Sequence, residues 1–249
     1  MPTYRLLVAY DGGPFRGFAR QPGLPTVQGS IEDALSTVLR EPVLTTGAGR
    51  TDAGVHALGQ VMSFRWAEPV GDIPSVWRSV NAIVGPAIAV QGFEQASDGF
   101  DARFSAVART YEYMILARRA PDPFSRHTAW HHENPLDVPA MARAAAHLVG
   151  EHDFRSFARV EEGAVPVRTV ELLQVEQEGH VVVVRVRANS FLQQMVRSIV
   201  GTLVKVGEGR LDPDSMPEVL EAGDRSAAGP VAPPHGLFLV SVDYPEELV

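Results

Sequence analysis

Tyr4-Arg5-Leu6-Leu7-Val8-Ala9-Tyr10, followed at once by Asp11-Gly12-Gly13-Pro14, is a strand-length apolar run ended by a strong turn signal. A helix follows. Thr26 is placed to cap it, and Val27, Ile31, Ala34, Leu35, Val38 and Leu39 recur at three- and four-residue steps, which gives one buried stripe. Pro42 stops it. Strand patterns around Val43 to Thr46 and Gln60 to Trp66 come next, then a helical stretch from Ile73 to Val84 and strands near Ile88 to Glu94 and Arg109 to Leu116. The order reads β, α, β, β, α, β.

The second half offers similar pieces. A helix is expected from Leu136 to Val149, strands at Val167 to Glu176 and His180 to Ala188, and a helix from Phe191 to about Val206. A short acidic helix and a strand from Leu237 to Val242 finish the chain. Prolines at 121, 123 and 135 mark 121–135 as the connection between an N-terminal lobe, 1–120, and a C-terminal lobe, 136–249. The expected class is α+β: two lobes, each a split β-α-β arrangement like ferredoxin or an RNA-recognition module. They would share a long mixed, mainly antiparallel sheet with helices on one face.

At 249 residues with 45% apolar and 21% charged composition, the chain has room for one large domain or two compact halves, and disorder is excluded. No apolar run reaches the roughly 18 residues of a membrane span, so no membrane partner and a cytoplasmic location are expected. The absence of cysteine removes thiolate nucleophiles and iron–sulfur clusters. The net charge of −8 is uneven: nine acids against Arg210 and Arg225 from residue 207 onward contribute −7, leaving residues 1–206 at −1. Of 22 basic residues only Lys205 is lysine; GC-rich codon usage accounts for most of that bias, although the guanidinium fork also suits phosphate and base edges.

The adjacent His131-His132 pair points apart on a strand and diverges on a helix, and no H-E-x-x-H spacing occurs, so no metal is expected. Gly47-Ala48-Gly49-Arg50 lacks the further glycine of a dinucleotide loop, no G-K-[ST] sequence is present, and no G-x-S-x-G elbow supports a serine hydrolase. The segment Gly47-Ala48-Gly49-Arg50-Thr51-Asp52-Ala53-Gly54-Val55-His56-Ala57-Leu58-Gly59-Gln60 is different in kind. It sets Arg, Asp and His between four glycines in the gap expected between two strands. Such a loop can present a carboxylate to a large ligand. On residue chemistry alone the commoner case is an Asx-turn, in which Asp52 accepts a backbone N–H two residues on.

Arg50-Thr51-Asp52-Ala53-Gly54-Val55-His56-Ala57 resembles the signature of the tRNA pseudouridine synthase A family, in which the aspartate is catalytic. Further segments match in order: Tyr10-Asp11-Gly12 with Phe15 and Gly17, Thr26-Val27-Gln28, and Ala102-Arg103-Phe104-Ser105-Ala106 leading to Arg109-Thr110-Tyr111-Glu112-Tyr113. His152-Asp153-Phe154 with Ser156-Phe157, Phe191-Leu192 with Met195-Val196-Arg197, and Ala232-Pro233 with Gly236-Leu237 complete the set, from about residue 4 to residue 244. Departures are Phe18-Ala19 where an aromatic-Gln pair is usual, Asp101 for a common histidine, and Val231 and Pro234 where Thr and Ala are frequent. These are expected to line or support the RNA-binding surface.

The resemblance implies the pseudouridine synthase fold and isomerisation of uridine to pseudouridine at positions 38, 39 and 40 in the anticodon stem-loop of tRNA, with no cofactor and no metal. The target base must be flipped out of its stack, at a cost of a few kcal/mol. Asp52 would act at ribose C1′, as a base at C2′, or at uracil C6. Tyr111 would stack on the flipped uracil, and Arg50 and Arg197 would be the cationic neighbours that keep a buried carboxylate ionised. Helical periodicity places Gln193, Arg197 and Gly201 on a face that can line a cleft, opposite Leu192, Met195, Ile199, Leu203 and Val206. Tyr111 and Tyr113 share one face of a strand. Arg16, Arg20, Arg103, Arg118, Arg119 and Arg126 are candidates for phosphate contacts, with the acidic tail turned away. A homodimer with tRNA spanning both subunits is also implied. The other class of reading is a non-catalytic tRNA-binding protein, which has no need of a carboxylate facing an anionic ligand.

Overall fold

The structure, a computed structural model, describes residues 1–160, 163 and 165–248. Among these are ten strands and five α-helices, of the expected α+β class. The chain forms two compact units, Met1–Ala108 with Phe238–Val249, and Arg109–Leu237.

In the first unit, β1 (Thr3–Tyr10) pairs antiparallel with both β3 (His56–Arg65) and β4 (Ile88–Gln95). The two-residue β2 (Thr46–Gly47) adds to β3, and β10 (Leu237–Asp243) pairs with β3 in parallel. Alternation along β1 buries Tyr4, Leu6, Val8 and Tyr10. Helix α1 (Val27–Leu39) starts where the sequence indicates: the Thr26 hydroxyl accepts from Gly29 N–H. It buries Val27, Ile31, Ala34 and Leu35, at roughly 1.5–3 kcal/mol for each large side chain. Helix α2 (Ile73–Val84) packs beside α1 and against β4, with Asp72 capping Ser75.

In the second unit the strand order is β5 (Ala108–Ala117), β9 (Val181–Ala188), β8 (Val167–Glu178), β7 (Gly150–Asp153), all antiparallel, with β6 (Trp130–His132) parallel to β5. Strand β9 buries Val182, Val184, Val186 and Ala188. Its other face carries Arg185, paired with Glu112 directly across on β5 at 2.8 Å, and Arg187, paired with Glu171 on β8 at 2.7 Å. Helix α3 (Val138–Ala146), capped by Asp137, packs on β8 and on α4 (Met195–Gly207); the short acidic helix is α5 (Met216–Glu221).

The structure redraws several sequence boundaries. The prolines of 121–135 do not fall at the division of compact units; that segment contributes β6 to the second unit, while the last strand returns to the first. A strand goes where its backbone finds partners, and Phe238↔His56 and Leu239↔Ala57 are the register that takes β10 back. The same register lengthens β3, so His56–Gln60 is strand and the gap narrows to residues 48–55. Helix α4 begins at Met195 rather than Phe191, because Gln194 is left-handed, φ 63°.

Candidate active site

The loop carrying Asp52 is held on both flanks and from below within the first unit. Ala48 N–H donates to the Val61 carbonyl at 2.8 Å, and the Gln60 side-chain N–H donates to the Gly49 carbonyl at 2.9 Å. The Thr51 carbonyl accepts from Phe18 N–H at 3.1 Å, while the Thr51 hydroxyl shares a hydrogen bond of 2.8 Å with the Tyr10 phenol at the end of β1. Val55 N–H then closes a turn onto the Asp52 carbonyl at 3.1 Å, with Gly54 at φ 80° supplying the positive dihedral the turn needs. Gly12 and Gly17 admit the neighbouring backbone. A Cβ on Gly12 would lie 2.0 Å from the Val55 carbonyl oxygen, and Gly17, at φ 103°, lies against Thr51 and Ala53.

This scaffold anchors Thr51, 8% exposed, and leaves Asp52 half-buried and Arg50 exposed on the same loop. Burial pushes the Tyr10 phenol up to about 12, against the opposing pull of the Thr51 hydroxyl and the nearby Gln60 side chain. Next to the loop, Gly12 N–H donates to His56 Nδ1 at 3.1 Å, with Asp11 Oδ1 at 3.2 Å from the same nitrogen, and the imidazole stacks on Phe238 at 4.7 Å. His56, Tyr10 and Gln60 are supports that spacing alone does not disclose; the signal for Tyr10 was its inward position at a strand end beside a glycine turn.

Tyr111 and Arg197 belong to the second unit. Tyr111 and Tyr113 share the buried face of β5, as their spacing requires. Tyr111 meets the edge of Phe191 at 5.2 Å, and the Tyr113 hydroxyl donates to the Pro233 carbonyl at 2.8 Å. Burial raises the Tyr113 phenol well beyond its ordinary range, with the Arg197 charge pulling the other way. Arg197 is clamped to a later segment: its Nε donates to the Ala232 carbonyl at 2.7 Å, and Ala232 N–H donates to the Arg197 carbonyl at 3.0 Å. The face expected to line a cleft is covered at Gly201, where a Cβ would lie 1.8 Å from the Pro230 carbonyl oxygen. The reason is that 229–232 lies along α4 at backbone contact distance, with Gly229 N–H donating to the Thr202 hydroxyl at 2.7 Å.

Other expectations shift as well. Phe18 is 2% exposed and wedged against Gly47 and Tyr10, so this departure belongs to the core rather than to an RNA-facing surface. Asp101 caps its own turn by accepting from Arg103 and Phe104 N–H. Arg20 pairs with Glu32 at 2.6 Å and with Asp33, which neutralises it locally, whereas Arg103 lies over the ring of Phe104, itself 81% exposed. His131 bonds the Arg118 carbonyl, and His132 bonds the Asn134 carbonyl and Glu208. Among the described residues no helix is long and apolar enough to cross a membrane.

A family profile described as tRNA pseudouridine synthase matches residues 144–245. The chain is 47% identical over 252 residues to tRNA pseudouridine synthase A of Rhodopseudomonas palustris (strain HaA2), covering 98% of this chain and 100% of that protein. It is 49% identical over 247 residues to the protein of that name from Frankia casuarinae, covering 98% of this chain and 89% of the other. The protein of the same name from Rhizobium meliloti (strain 1021) is 43% identical over 254 residues, covering 98% and 100%. Identity at this level over almost the whole length of both chains shows that the protein belongs to the tRNA pseudouridine synthase A family, a family of isomerases.

Proposed function

We propose that this chain converts uridine to pseudouridine in the anticodon stem-loop of tRNA, at positions 38, 39 and 40, with the Asp52 carboxylate as the catalytic group. The observation that carries the reading is the loop itself: Thr51 is buried and bonded while Asp52, one residue on, stands half-buried on a backbone fixed from three sides. Pinned backbone with a partly exposed carboxylate is what a group needs if it is to meet a large anionic substrate in one orientation. In the reaction the N1–C1′ bond breaks, uracil turns, C5 joins C1′, and the proton lost from C5 is balanced by one gained at N1. Nothing is oxidised or reduced, so the reading assigns no cofactor and no metal.

Within it, Tyr111 stacks on the everted base, using the aromatic face that single-base recognition in RNA commonly relies on, and Arg50 and Arg197 supply positive charge for substrate binding. The exposed Arg103-Phe104 pair suits contact with RNA outside the target nucleotide, since it joins a cation to an aromatic face. A homodimer in the cytoplasm, with tRNA engaged by both subunits, completes the proposal.

The test is Asp52→Ala incubated with an unmodified tRNA transcript carrying uridine in the anticodon arm, followed by mapping of pseudouridine. Loss of product with retained tRNA binding is expected. Full pseudouridine formation would overturn the assignment.

A further inference from the structure

Tyr10 and Thr51 lie 41 positions apart in the chain, yet their hydroxyls meet at 2.8 Å in a buried position directly under the residue before Asp52. Tyr10 is 5% exposed and ends β1; Thr51 is the last residue before the catalytic position proposed above. Other ties on this stretch are made by backbone atoms or reach Gly49: Phe18 N–H to the Thr51 carbonyl, Val55 N–H to the Asp52 carbonyl, and the Gln60 amide to Gly49. These ties hold the peptides on either side of Asp52 and the start of the loop. The hydroxyl pair adds a side-chain tie that fixes the rotation of Thr51 against the end of a central strand, next to the chain entering Asp52. A side-chain hydroxyl is not required there for packing alone, because phenylalanine and valine would fill almost the same volumes.

We infer that Tyr10 is a positioning residue for catalysis: its hydrogen bond to Thr51 holds the Asp52 carboxylate in its working orientation. The inference rests on the assignment of Asp52 above. A small error in placing a reacting group can cost about a hundredfold in rate without weakening binding of the rest of a large substrate. The signature of positioning is therefore a fall in kcat with KM for tRNA unchanged.

The experiment compares Tyr10→Phe, Thr51→Val, Thr51→Ser and the Tyr10→Phe/Thr51→Val double variant with the wild type and Asp52→Ala, using one tRNA transcript and measuring kcat, KM and melting temperature. Tyr10→Phe and Thr51→Val should each lower kcat by about ten- to a hundredfold, with KM within about twofold. Thr51→Ser keeps the hydroxyl and should restore most of the rate. The double variant should be no slower than the worse single one, because both remove the same bond. Wild-type kcat in Tyr10→Phe, equal losses in Thr51→Ser and Thr51→Val, or multiplicative losses in the double variant would each overturn the inference. If Tyr10→Phe fails to fold, the serine and valine variants decide the matter between them. An inactive Asp52→Ala beside a fully active Tyr10→Phe removes the positioning role alone, whereas an active Asp52→Ala removes the reading beneath it.

Discussion

The Asp52 loop in the first unit and helix α4 in the second are both held tightly, by different physics. The loop is bound mainly by a set of separate hydrogen bonds, from Phe18, Gln60, Tyr10 and Val55, each worth about 1 kcal/mol net, with Gly12 packed against the Val55 carbonyl at its far end. Helix α4 is bound by backbone lying on backbone, with Gly201 against Pro230 and Gly229 against Gly201 and Thr202, where even a methyl group has no space. Hydrogen bonds are directional and set how a loop is turned; a close-packed seam sets how near two backbones lie and tolerates no intrusion without separating. The contrast teaches that the loop carrying Asp52 is oriented by several directional contacts, and the helix carrying Arg197 is seated mainly by close packing.

The harshest break of that contrast is Gly201→Val. The added side chain must enter the Pro230 carbonyl, and overpacking at or beyond about 3 kcal/mol should lower the melting temperature by about 6–12 °C. A melting temperature within a degree of wild type would show that the seam is looser than described. Gly12→Ala creates a clash of similar depth with the Val55 carbonyl, but on the loop. Here turnover should fall by about tenfold or more while the melting temperature falls by less than in Gly201→Val. The opposite ordering in thermal scans and initial rates would reverse the comparison.

A milder probe is Tyr113→Phe, which leaves the Pro233 carbonyl without its donor and should cost about 1 kcal/mol, or about 2–4 °C in melting temperature. The smallest effect is an alkaline one. The Tyr10 phenol titrates near 12 when folded against about 10 when unfolded, so its contribution is intact below pH 10 and is lost as the pH rises from 10 through 12. Denaturant midpoints of Tyr10→Phe should therefore decline less steeply than those of the wild type over that window, with Tyr113 still contributing its own alkaline loss in both proteins. Parallel declines would refute the burial of the Tyr10 phenol.

Much of this was legible in the chain, and the parts that were not have identifiable causes. Helix α2 has the expected bounds, and α1 begins at its expected cap, because capping and periodic burial are local properties. Strands β6 and β7, of three and four residues, went unrecognised because so short a run carries no measurable alternation. The candidate residues were found through the resemblance to a family, since neither composition nor spacing distinguishes Asp52 from an ordinary turn aspartate. The supports under it were not found, because Tyr10 and Thr51 become neighbours only when β1 lies beside β3. The core position of Phe18 is illegible for a related reason: an aromatic residue in a glycine-rich loop gives no sign that Gly47 leaves a hollow for its ring.

By itself the sequence determined the α+β class, the order of the long elements, the cap of the first helix and the family to which the protein belongs, all of which depend on neighbouring residues or on matching blocks of sequence. Only the tertiary structure decided that the last strand rejoins the first unit, that Gly201 is sealed rather than open, and that the Asp52 loop stands on a tyrosine from another strand. The physical reason is that hydrogen-bond pairing and close packing join residues distant in the chain, and the strength of such contacts depends on geometry that no local stretch encodes.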